Sequence, residues 1–373
     1  MNTTERYIAA IRSYLSEQWR ESLVEANGSL ADPYLQPGSA QYQNVLWDWD
    51  SWLTNIALRQ IVGELEDDGA LEEIEPYERG CVRNFLSATS RRGWIPIRIA
   101  PDASPEEPED LFSENMHKPC LAQHAAFLVK NAGGDAEWLR EDEGLYRLLK
   151  FINNYRNHHR HDCGLYFWQT DGGVGVDNDP CSFDRPPRSC GSIYLNCLMA
   201  KELDAAAYLC DCLHLDEVGA AYREDAVALK EAINRYCWDE RDGFYYSVDF
   251  NFVEPDRQGR HHFGQLRDWP CLVMRIGVWS GFMALWAGLA DEERAARVVA
   301  EHYRNEKTFH APFGVRSLSK MEPMYNLRPS GNPSSWLGPI WGIANYMTFR
   351  GLVRYGFEDD ARDLAEKTVR LFG

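Results

Sequence analysis

The sequence has no surplus of basic residues and no long hydrophobic segment. Its 373 residues include 39 Lys and Arg against 57 Asp and Glu, which gives a formal net charge of −18. A phosphate-binding surface needs the opposite sign, so we expect no nucleic-acid partner. Residues 1–20 carry charges throughout, unlike a signal peptide, and the longest apolar run, residues 278–290, is too short to span a bilayer. We therefore expect a cytoplasmic protein without a membrane partner.

The sequence also lacks the usual patterns of metal and cofactor sites. Its ten cysteines form no CxxC pair, so zinc and thioredoxin-type sites are not indicated. Without an export signal, reduced and mostly buried thiols are expected. The acidic, glycine-rich segment 171–180 does not match a calcium loop, because the twelfth residue counted from Asp171 is Ser182 where such a loop needs a Glu. It also lacks the Lys of a phosphate-binding loop. We expect no metal and no cofactor.

Helical periodicity dominates what is present. The apolar pattern predicts eleven helices, at about residues 4–25, 48–61, 76–88, 117–130, 137–158, 192–213, 216–238, 270–289, 291–302, 334–354 and 358–372. The even-numbered helices are rich in Trp, Ala, Gly and Met, whereas the odd-numbered ones have polar faces. Such alternation indicates enclosed and outer helices, and hence two concentric rings. The predicted fold class is all-α, in a single domain over residues 1–373.

Four long connections separate these helices, at about residues 100–115, 162–191, 250–268 and 308–333. All lead into even-numbered helices, so in a two-ring barrel they would gather at one mouth. Loops of this length usually carry function. Aromatic residues make up 13% of the chain. They can pack a core or form platforms for sugars, and composition does not separate the two uses.

Residues 47–52, WDWDSW, place two carboxylates and three indoles at a predicted helix start. Asp48 can be an N-cap, and Asp50 then lies in the first turn, where the helix dipole favours negative charge. Alternatively, Trp47 and Trp49 stack on a sugar while a carboxylate accepts protons from its hydroxyl groups. The residues themselves leave both interpretations open.

Two further segments hold candidate chemistry. The acidic turn at 171–180 is either a loop stabilised by Asx turns or a rigid support for a catalytic carboxylic acid. Trp336 and Trp341 are five residues apart, so one helix cannot present both on the same stripe. Asn345 follows Trp341 by four residues and shares its face, and a buried Asn needs a partner.

Among the histidines, His117 is the candidate functional residue, because it lies at the start of a predicted inner helix. The histidine runs at residues 158–161 and 261–262 lack zinc-ligand spacing. We expect them at a solvated helix end and in a solvated loop.

Five segments, in this order, resemble glycoside hydrolase family 63 and its clan relative, the family 37 trehalases. They are WDWDSW at 47–52, GWIP at 93–96, HKPCLAQHA at 117–125, GVDNDP at 175–180 and WLGPIWGIANY at 336–346. Bacterial members that hydrolyse mannosylglycerate or glucosylglycerate, and α-glucosidase-type members, are similar. The resemblance implies an (α/α)6 toroid. It also implies inverting hydrolysis, by general acid/base catalysis, of an α-glucosidic or α-mannosidic bond in a small glycoside or oligosaccharide.

The resemblance also implies site residues. The general acid falls on Asp177. Together with the residues singled out above, the expected substrate-binding set is Trp47, Trp49, Asp50, His117, Lys118, Asn178, Trp336, Gly338, Trp341 and Asn345. There are two departures from the family pattern. Asp179 stands where a Ser is frequent, and Lys118 stands where Gln-Pro-Pro often begins, which favours a different substrate, for example an anionic one.

The general base of the family is a Glu after the eleventh helix, whereas this sequence stops at Gly373. A twelve-helix toroid would lack its last inner helix. Three explanations can account for the missing general base. We favour a truncated chain; alternatively, Glu322 serves as the base, or the protein is a catalytically inactive relative. Two other functions stay open. One is a sugar epimerase on the same toroid that uses His117, His124 and His310, and the other is a non-catalytic carbohydrate-binding protein.

Overall fold

A computed structural model describes residues 3–38, 42–65, 69–102, 108–109, 114–251, 270–328 and 334–373. The chain divides into two compact units. The first comprises residues 1–158, 198–227 and 365–373, and the second comprises residues 159–197 and 228–364. The expectation of one domain over the whole chain stays a prediction. The histidine pair at 261–262 and most of the predicted 250–268 loop lie outside the described residues.

Helices build most of the first unit. Among its described residues, five helices lie wholly within it: α1 (Thr3–Gln18), α2 (Asp48–Gly63), α3 (Ala70–Ser87), α4 (Leu121–Asn131) and α5 (Gly144–His158). Helices α6 (Ile193–Cys212) and α7 (Asp216–Tyr236) contribute residues to both units, and 3-10 turns cover Trp19–Ser22 and Glu137–Glu143. Two antiparallel ribbons join β1 (Leu23–Val24) to β2 (Tyr34–Leu35) and β3 (Leu46–Trp47) to β4 (Arg98–Ile99). The β3–β4 ribbon leads directly into α2.

Helix α3 begins at Ala70, six residues before the predicted start at Pro76. Ala70 and Ile74 are fully buried, so the apolar face of the helix continues through its first turns. Burial of this face favours helix even though Pro76 removes one backbone hydrogen bond.

The second unit consists mainly of shorter elements. Its helices include α8 (Met283–Trp286), α9 (Glu292–Arg297), which continues as a π-helix over Val298–Tyr303, and α10 (Gly342–Arg354); α11 (Glu358–Phe372) ends the chain and contributes to both units. Strand β8 (Val248–Asp249) lies between β5 (Cys190–Gly191) and β9 (Leu272–Val273). Two ribbons pair β6 (Trp238–Asp239) with β7 (Phe244–Tyr245) and β10 (His310–Ala311) with β11 (Gly314–Val315).

Several predicted helices are shorter than expected. Helix α1 ends at Gln18 rather than near residue 25, and α4 begins at Leu121 rather than at 117. Two helices of the second unit differ more. The segment predicted as helix over 270–289 contains β9, a 3-10 turn at Trp279–Phe282 and only then α8. Its backbone is used elsewhere, since Val278 pairs with Leu318 and the Trp279 amide donates to the Ser317 carbonyl at 3.0 Å. The helix predicted from residue 334 begins at Gly342.

All ten cysteines are free thiols, and eight of them are buried. This agrees with the reduced, mostly buried thiols expected from the sequence. Within the described ranges, none of the helices combines the length and apolar character that a bilayer span requires.

Candidate active site

In the first unit, the candidate residues lie at the junction of β3 and α2. Trp47 ends β3 opposite Arg98 and occupies the N-cap position of α2 with extended backbone. Its ring meets Tyr42 edge-on at 5.2 Å, and the Arg98 guanidinium lies 5.4 Å from the ring centre. These contacts hold the half-buried indole of Trp47 at the helix start.

Asp48 and Lys118 form a buried ion pair. The Lys118 Nζ lies 3.1 Å and 3.0 Å from the two Asp48 carboxylate oxygens, and the Lys118 amide donates to Oδ2 at 3.0 Å. Both side chains are at most 2% exposed. The same ammonium lies 5.5 Å from the Trp49 ring centre. The N-cap interpretation of Asp48 is therefore wrong, because Trp47 holds the cap position and the Asp48 carboxylate binds Lys118.

Asp50 follows within the first turn of α2 and is half-buried. Burial raises its pKa to about 6, the charge of Asp48 adds to the rise, and the Lys118 ammonium opposes it. Asp50 can therefore exchange a proton close to neutral pH. It directly follows Trp49 in the sequence.

His117 lies in the core of the first unit. Its ring meets Phe85 and Phe151 edge-on, with ring centres 4.5 Å and 5.6 Å away, and its Nδ1 lies 2.6 Å from the Lys118 carbonyl oxygen. Tyr155 donates its hydroxyl to the His117 carbonyl at 2.9 Å. Burial lowers the pKa of His117 to about 4, so the ring is neutral at pH 7.

His124 is enclosed as well. Its Nε2 contacts the Asn55 side-chain oxygen at 2.7 Å, and burial lowers its pKa to about 3. Asn55 in turn donates to Glu78, which pairs with Arg59. This chain of contacts fixes α2 against α3 and α4. Sequence reasoning did not find it, because its members are spread over three helices.

Sequence reasoning also missed Glu202. This fully buried residue accepts the backbone amides of Ala122 and Gln123 at 2.7 Å and 3.1 Å, so it caps the start of α4 from another helix. Burial raises its pKa to about 8. Glu202 therefore fixes the helix start that directly follows Lys118.

In the second unit, the acidic turn presents Asp177 to solvent. Its neighbour Asn178 accepts the backbone amide of Trp336 at 2.6 Å. The next residue, Asp179, is buried and accepts the Cys181 amide at 2.9 Å, and burial raises its pKa to about 6. The turn is therefore anchored at Asn178 and at Asp179, while the Asp177 carboxyl stays accessible.

An indole stack lies next to this turn. Trp336 and Trp341 are parallel, with ring centres 4.3 Å apart and an interplanar angle of 4°. Trp279, which the sequence did not single out, stacks on Trp336 at 5.9 Å. Trp341 donates its indole N–H to the Ser335 carbonyl at 2.8 Å. The two tryptophans meet because Trp336 precedes α10, so the helical spacing that separates them does not apply.

Gly338 and Asn345 hold the segment around the stack. Gly338 has a φ of +134°, and a Cβ there would lie 2.5 Å from the Tyr325 ring. Its amide donates to the Ser317 hydroxyl at 3.0 Å. Asn345 is buried, accepts the Val315 amide at 2.8 Å and donates to the Phe313 carbonyl at 3.1 Å. The buried amide thus has the partners that the sequence required.

Glu322, the in-chain candidate for the base, is half-buried in the second unit. Its Oε1 accepts the Gly277 amide at 2.8 Å. No group of three or more His, Cys, Asp or Glu side chains suited to a metal ion occurs among the described residues.

Comparison with known proteins identifies the family. A family model, the mannosylglycerate hydrolase MGH1-like glycoside hydrolase domain, matches residues 42–373. The chain is 31% identical to a cytosolic neutral trehalase of Kluyveromyces lactis over 143 residues, which are 38% of this chain and 16% of that protein. It is 29% identical to the mannosylglycerate hydrolase of Rubrobacter radiotolerans over 159 residues, which are 42% of this chain and 31% of that protein. The matches thus span less than a third of either relative.

Solved structures agree on the fold. The chain matches the family 63 mannosylglycerate hydrolase of Thermus thermophilus, solved with glucose, with a TM-score of 0.68 and 18% identity, over 96% of this chain and 91% of that one. It matches the neutral trehalase Nth1 of Saccharomyces cerevisiae with a TM-score of 0.56 and 17% identity, over 87% and 64% of the two chains. The fold class is all-α, of the (α/α)6 toroid type. With most of its length matched by the family model, the chain belongs to the MGH1-like glycoside hydrolases, the family 63 group that its motifs resemble.

Proposed function

We propose that this chain is an inverting α-glycosidase that hydrolyses a small α-glucoside or α-mannoside. The observation that carries the proposal is the hydrogen bond from the Trp336 amide to Asn178, which fixes an exposed carboxyl, Asp177, beside an indole stack. Hydrolysis of a glycosidic bond needs a carboxylic acid next to the leaving oxygen, and indole faces bind sugar rings. The family match and the names of its relatives support the same class of reaction.

In this proposal, Asp177 protonates the leaving oxygen as general acid. Asn178, Trp336, Gly338, Trp341 and Asn345 bind substrate or hold the segments that do. In the first unit, Trp47, Trp49, Asp50, His117 and Lys118 are assigned to substrate binding. His117 and Lys118 act there through their neighbours, because both side chains are buried and engaged.

The charges in the first unit favour a neutral sugar over an anionic group at Trp49. Lys118 supplies one positive charge, and Asp48 at 3.0 Å offsets it. Asp50 adds negative charge above its pKa of about 6. An anionic aglycone would therefore meet no net positive charge from these three residues, whereas sugar hydroxyl groups can donate to the carboxylates.

Glu322 is the candidate base that the chain itself offers. Inverting hydrolysis needs a second carboxylate that activates water on the opposite face of the sugar. One oxygen of Glu322 accepts the Gly277 amide, and the other can accept a proton. Glu322→Gln keeps an oxygen for the Gly277 amide and removes the basic group, which makes it the variant of choice.

The test is a screen of the purified chain against α-glucosides and α-mannosides that include mannosylglycerate, glucosylglycerate and trehalose. The active substrate is then given to Asp177→Asn, and the released anomer is followed by proton NMR. We expect turnover to fall by about 100-fold or more, and the native chain to release the β-anomer first. Asp184→Asn is the matched control, because Asp184 is exposed on the same loop and its φ of 54° suits Asn.

Unchanged turnover in Asp177→Asn would reject Asp177 as the acid, and release of the α-anomer would reject inversion. Absence of turnover on every substrate, with calorimetric binding of a sugar, would favour a binding protein instead. A fall of similar size in Glu322→Gln assigns the base, whereas an unaffected rate removes Glu322 from the mechanism.

The histidine-based epimerase is not favoured. His117 and His124 are enclosed in the core of the first unit, and burial lowers the pKa of both. The proposed location is the cytoplasm, which is supported by the word cytosolic in the name of the Kluyveromyces lactis relative.

A further inference from the structure

Asp179 organises the backbone of the turn that carries Asp177. Its amide donates to the carbonyl of Val176, the residue directly before Asp177, at 3.0 Å. Its carbonyl accepts two further amides, from Ser182 at 3.0 Å and from Phe183 at 2.8 Å. These three hydrogen bonds use only backbone atoms, so any residue other than proline can make them. They do not explain why a carboxylate stands at this position.

The side chain of Asp179 adds a hydrogen bond that the backbone does not supply. The residue is 5% exposed, and its Oδ1 accepts the backbone amide of Cys181 at 2.9 Å. Cys181 is fully buried in a hydrophobic cluster that also contains Cys190, Met274, Val278 and Leu318. The carboxylate therefore attaches the end of the turn to a packed core. Without it, the buried Cys181 amide loses its acceptor.

The direction of the Asp177 carboxyl depends on this backbone. Asp177 is exposed, and within the described residues its side chain has no hydrogen-bond or ion-pair partner. Both residues that flank it are held: the Val176 side chain is 3% exposed, and Asn178 accepts the Trp336 amide at 2.6 Å. Because the backbone decides which side-chain rotamers are allowed, a displaced turn displaces the Asp177 carboxyl with it.

We propose that Asp179 is a positioning residue for the general acid, and that its carboxylate holds the turn so that Asp177 reaches the leaving oxygen of the substrate. The inference rests on the proposed function, because it takes Asp177 as the acid. Asp179 acts through the Cys181 amide and the backbone of the turn, and its own buried carboxylate does not touch the substrate.

The test compares two substrates that carry the sugar hydrolysed by the native chain. One releases an alcohol, and the other is the corresponding glycosyl fluoride. An alcohol must be protonated as it leaves, whereas fluoride leaves without a proton and needs little help from a general acid. The readout is the ratio of the two kcat values, alcohol over fluoride, because a partly unfolded preparation lowers both rates alike and leaves their ratio unchanged.

For Asp179→Ala we expect this ratio to fall by about 100-fold, the loss that a displacement of about 1 Å in a reacting group can cause. The KM of the alcohol-releasing substrate should stay close to the native value. Asp179→Asn keeps an oxygen for the Cys181 amide and should bring the ratio back towards that of the native chain. Asp179→Leu has no acceptor but fills the space, so it is the second variant if the alanine variant does not fold.

Asp239→Ala is the matched control. Asp239 is also 5% exposed and lies in the same unit, and its Oδ1 accepts the amide of Arg241, again two residues further along the chain, at 3.0 Å. Its removal costs a buried carboxylate of the same kind outside the segment that carries Asp177. The ratio should therefore remain native in Asp239→Ala.

An unchanged ratio in the folded Asp179 variants overturns the proposal, and so does an equal fall in Asp239→Ala or in Asp179→Asn. Asp177→Asn is measured alongside to separate the two levels of the argument. A low ratio in Asp177→Asn with a native ratio in Asp179→Ala rejects the positioning role alone. A native ratio in Asp177→Asn, or a native chain that turns over no substrate, rejects the proposed acid and the positioning role together.

Discussion

The buried Asp48–Lys118 pair allows a quantitative prediction for Lys118→Met. Methionine keeps the length and much of the volume of the side chain but removes its charge, which leaves the Asp48 carboxylate unpaired at 1% exposure. At the 3.0 Å separation observed, two unit charges interact with about 5.5 kcal/mol at an effective dielectric constant of about 20. Loss of one partner from a buried pair typically costs about 3–5 kcal/mol, and we expect a loss of this size in the free energy of unfolding.

The assay is urea denaturation followed by the helical signal in circular dichroism. Arg12→Met is the matched control, because Arg12 pairs with Glu64 at 2.9 Å while both side chains are well exposed, at 69% and 64%. Exposed pairs contribute about 0–1 kcal/mol. The double variant Asp48→Asn with Lys118→Met should be more stable than Lys118→Met alone by at least about 1 kcal/mol, because no charge is then left buried.

Equal, small losses in Lys118→Met and Arg12→Met would refute the reasoning. So would a double variant that is less stable than Lys118→Met. Either result would mean that the Asp48 carboxylate is not desolvated by its surroundings, and that Lys118 is free to meet a ligand.

Three further predictions concern the other anchors. Gly338→Ala should cost more than about 2 kcal/mol of unfolding free energy in urea, because φ is +134° and Tyr325 would meet the new Cβ; an unchanged midpoint would contradict this. Asn345→Leu should cost about 1–3 kcal/mol, since the Val315 amide loses its acceptor, and faster amide exchange at Val315 checks it. His124→Gln should be less stable than the native chain near neutral pH, and this difference in unfolding free energy should shrink as the pH falls. Burial lowers the pKa of His124 from 6.5 to about 3, so the neutral ring contributes fully above pH 6.5. The difference should shrink by about 1.4 kcal/mol per unit as pH falls below 6.5, and a constant difference between pH 6 and 4 would refute it.

The family and the all-α class could be predicted from the sequence, and both predictions are confirmed. Helices with a complete amphipathic stripe were predicted with nearly correct bounds, as for α7 and for α11 (Glu358–Phe372). In these helices a local pattern determines both the structure and the buried face. For such helices, the local sequence is sufficient to predict where the helix begins and ends.

The predictions failed where long-range contacts decide the backbone. Residues 270–282 are apolar enough for a helix, but Val278 pairs with Leu318, which is far away in the sequence. The helix predicted from residue 334 starts late because Gly338 adopts a positive φ that no helix allows. The pairing of Val278 with Leu318 has no signal in the surrounding residues, whereas Gly338 and Pro339 are themselves a local signal for a helix entry.

The candidate site likewise contains features that local sequence predicts and features that depend on long-range contacts. The motif at 47–50 was found, but its partner Lys118 lies 70 residues further along the chain, and the sequence offered a local N-cap for Asp48 instead. Helix-capping propensity is a local rule, whereas a buried carboxylate is held by whichever cation the fold brings to it. The ion pair therefore had to come from the structure.

The indole stack also separates a supporting ring from a ligand-facing one. Trp336 is 3% exposed, and its ring is stacked against both Trp279 and Trp341. Trp341 keeps part of its surface exposed. A sugar ring needs an open aromatic face, and burial has already removed that of Trp336. Trp336 is therefore the positioning residue, held in place by the hydrogen bond from its backbone amide to the Asn178 side chain. Trp341 is the indole of this pair that we expect to contact the sugar.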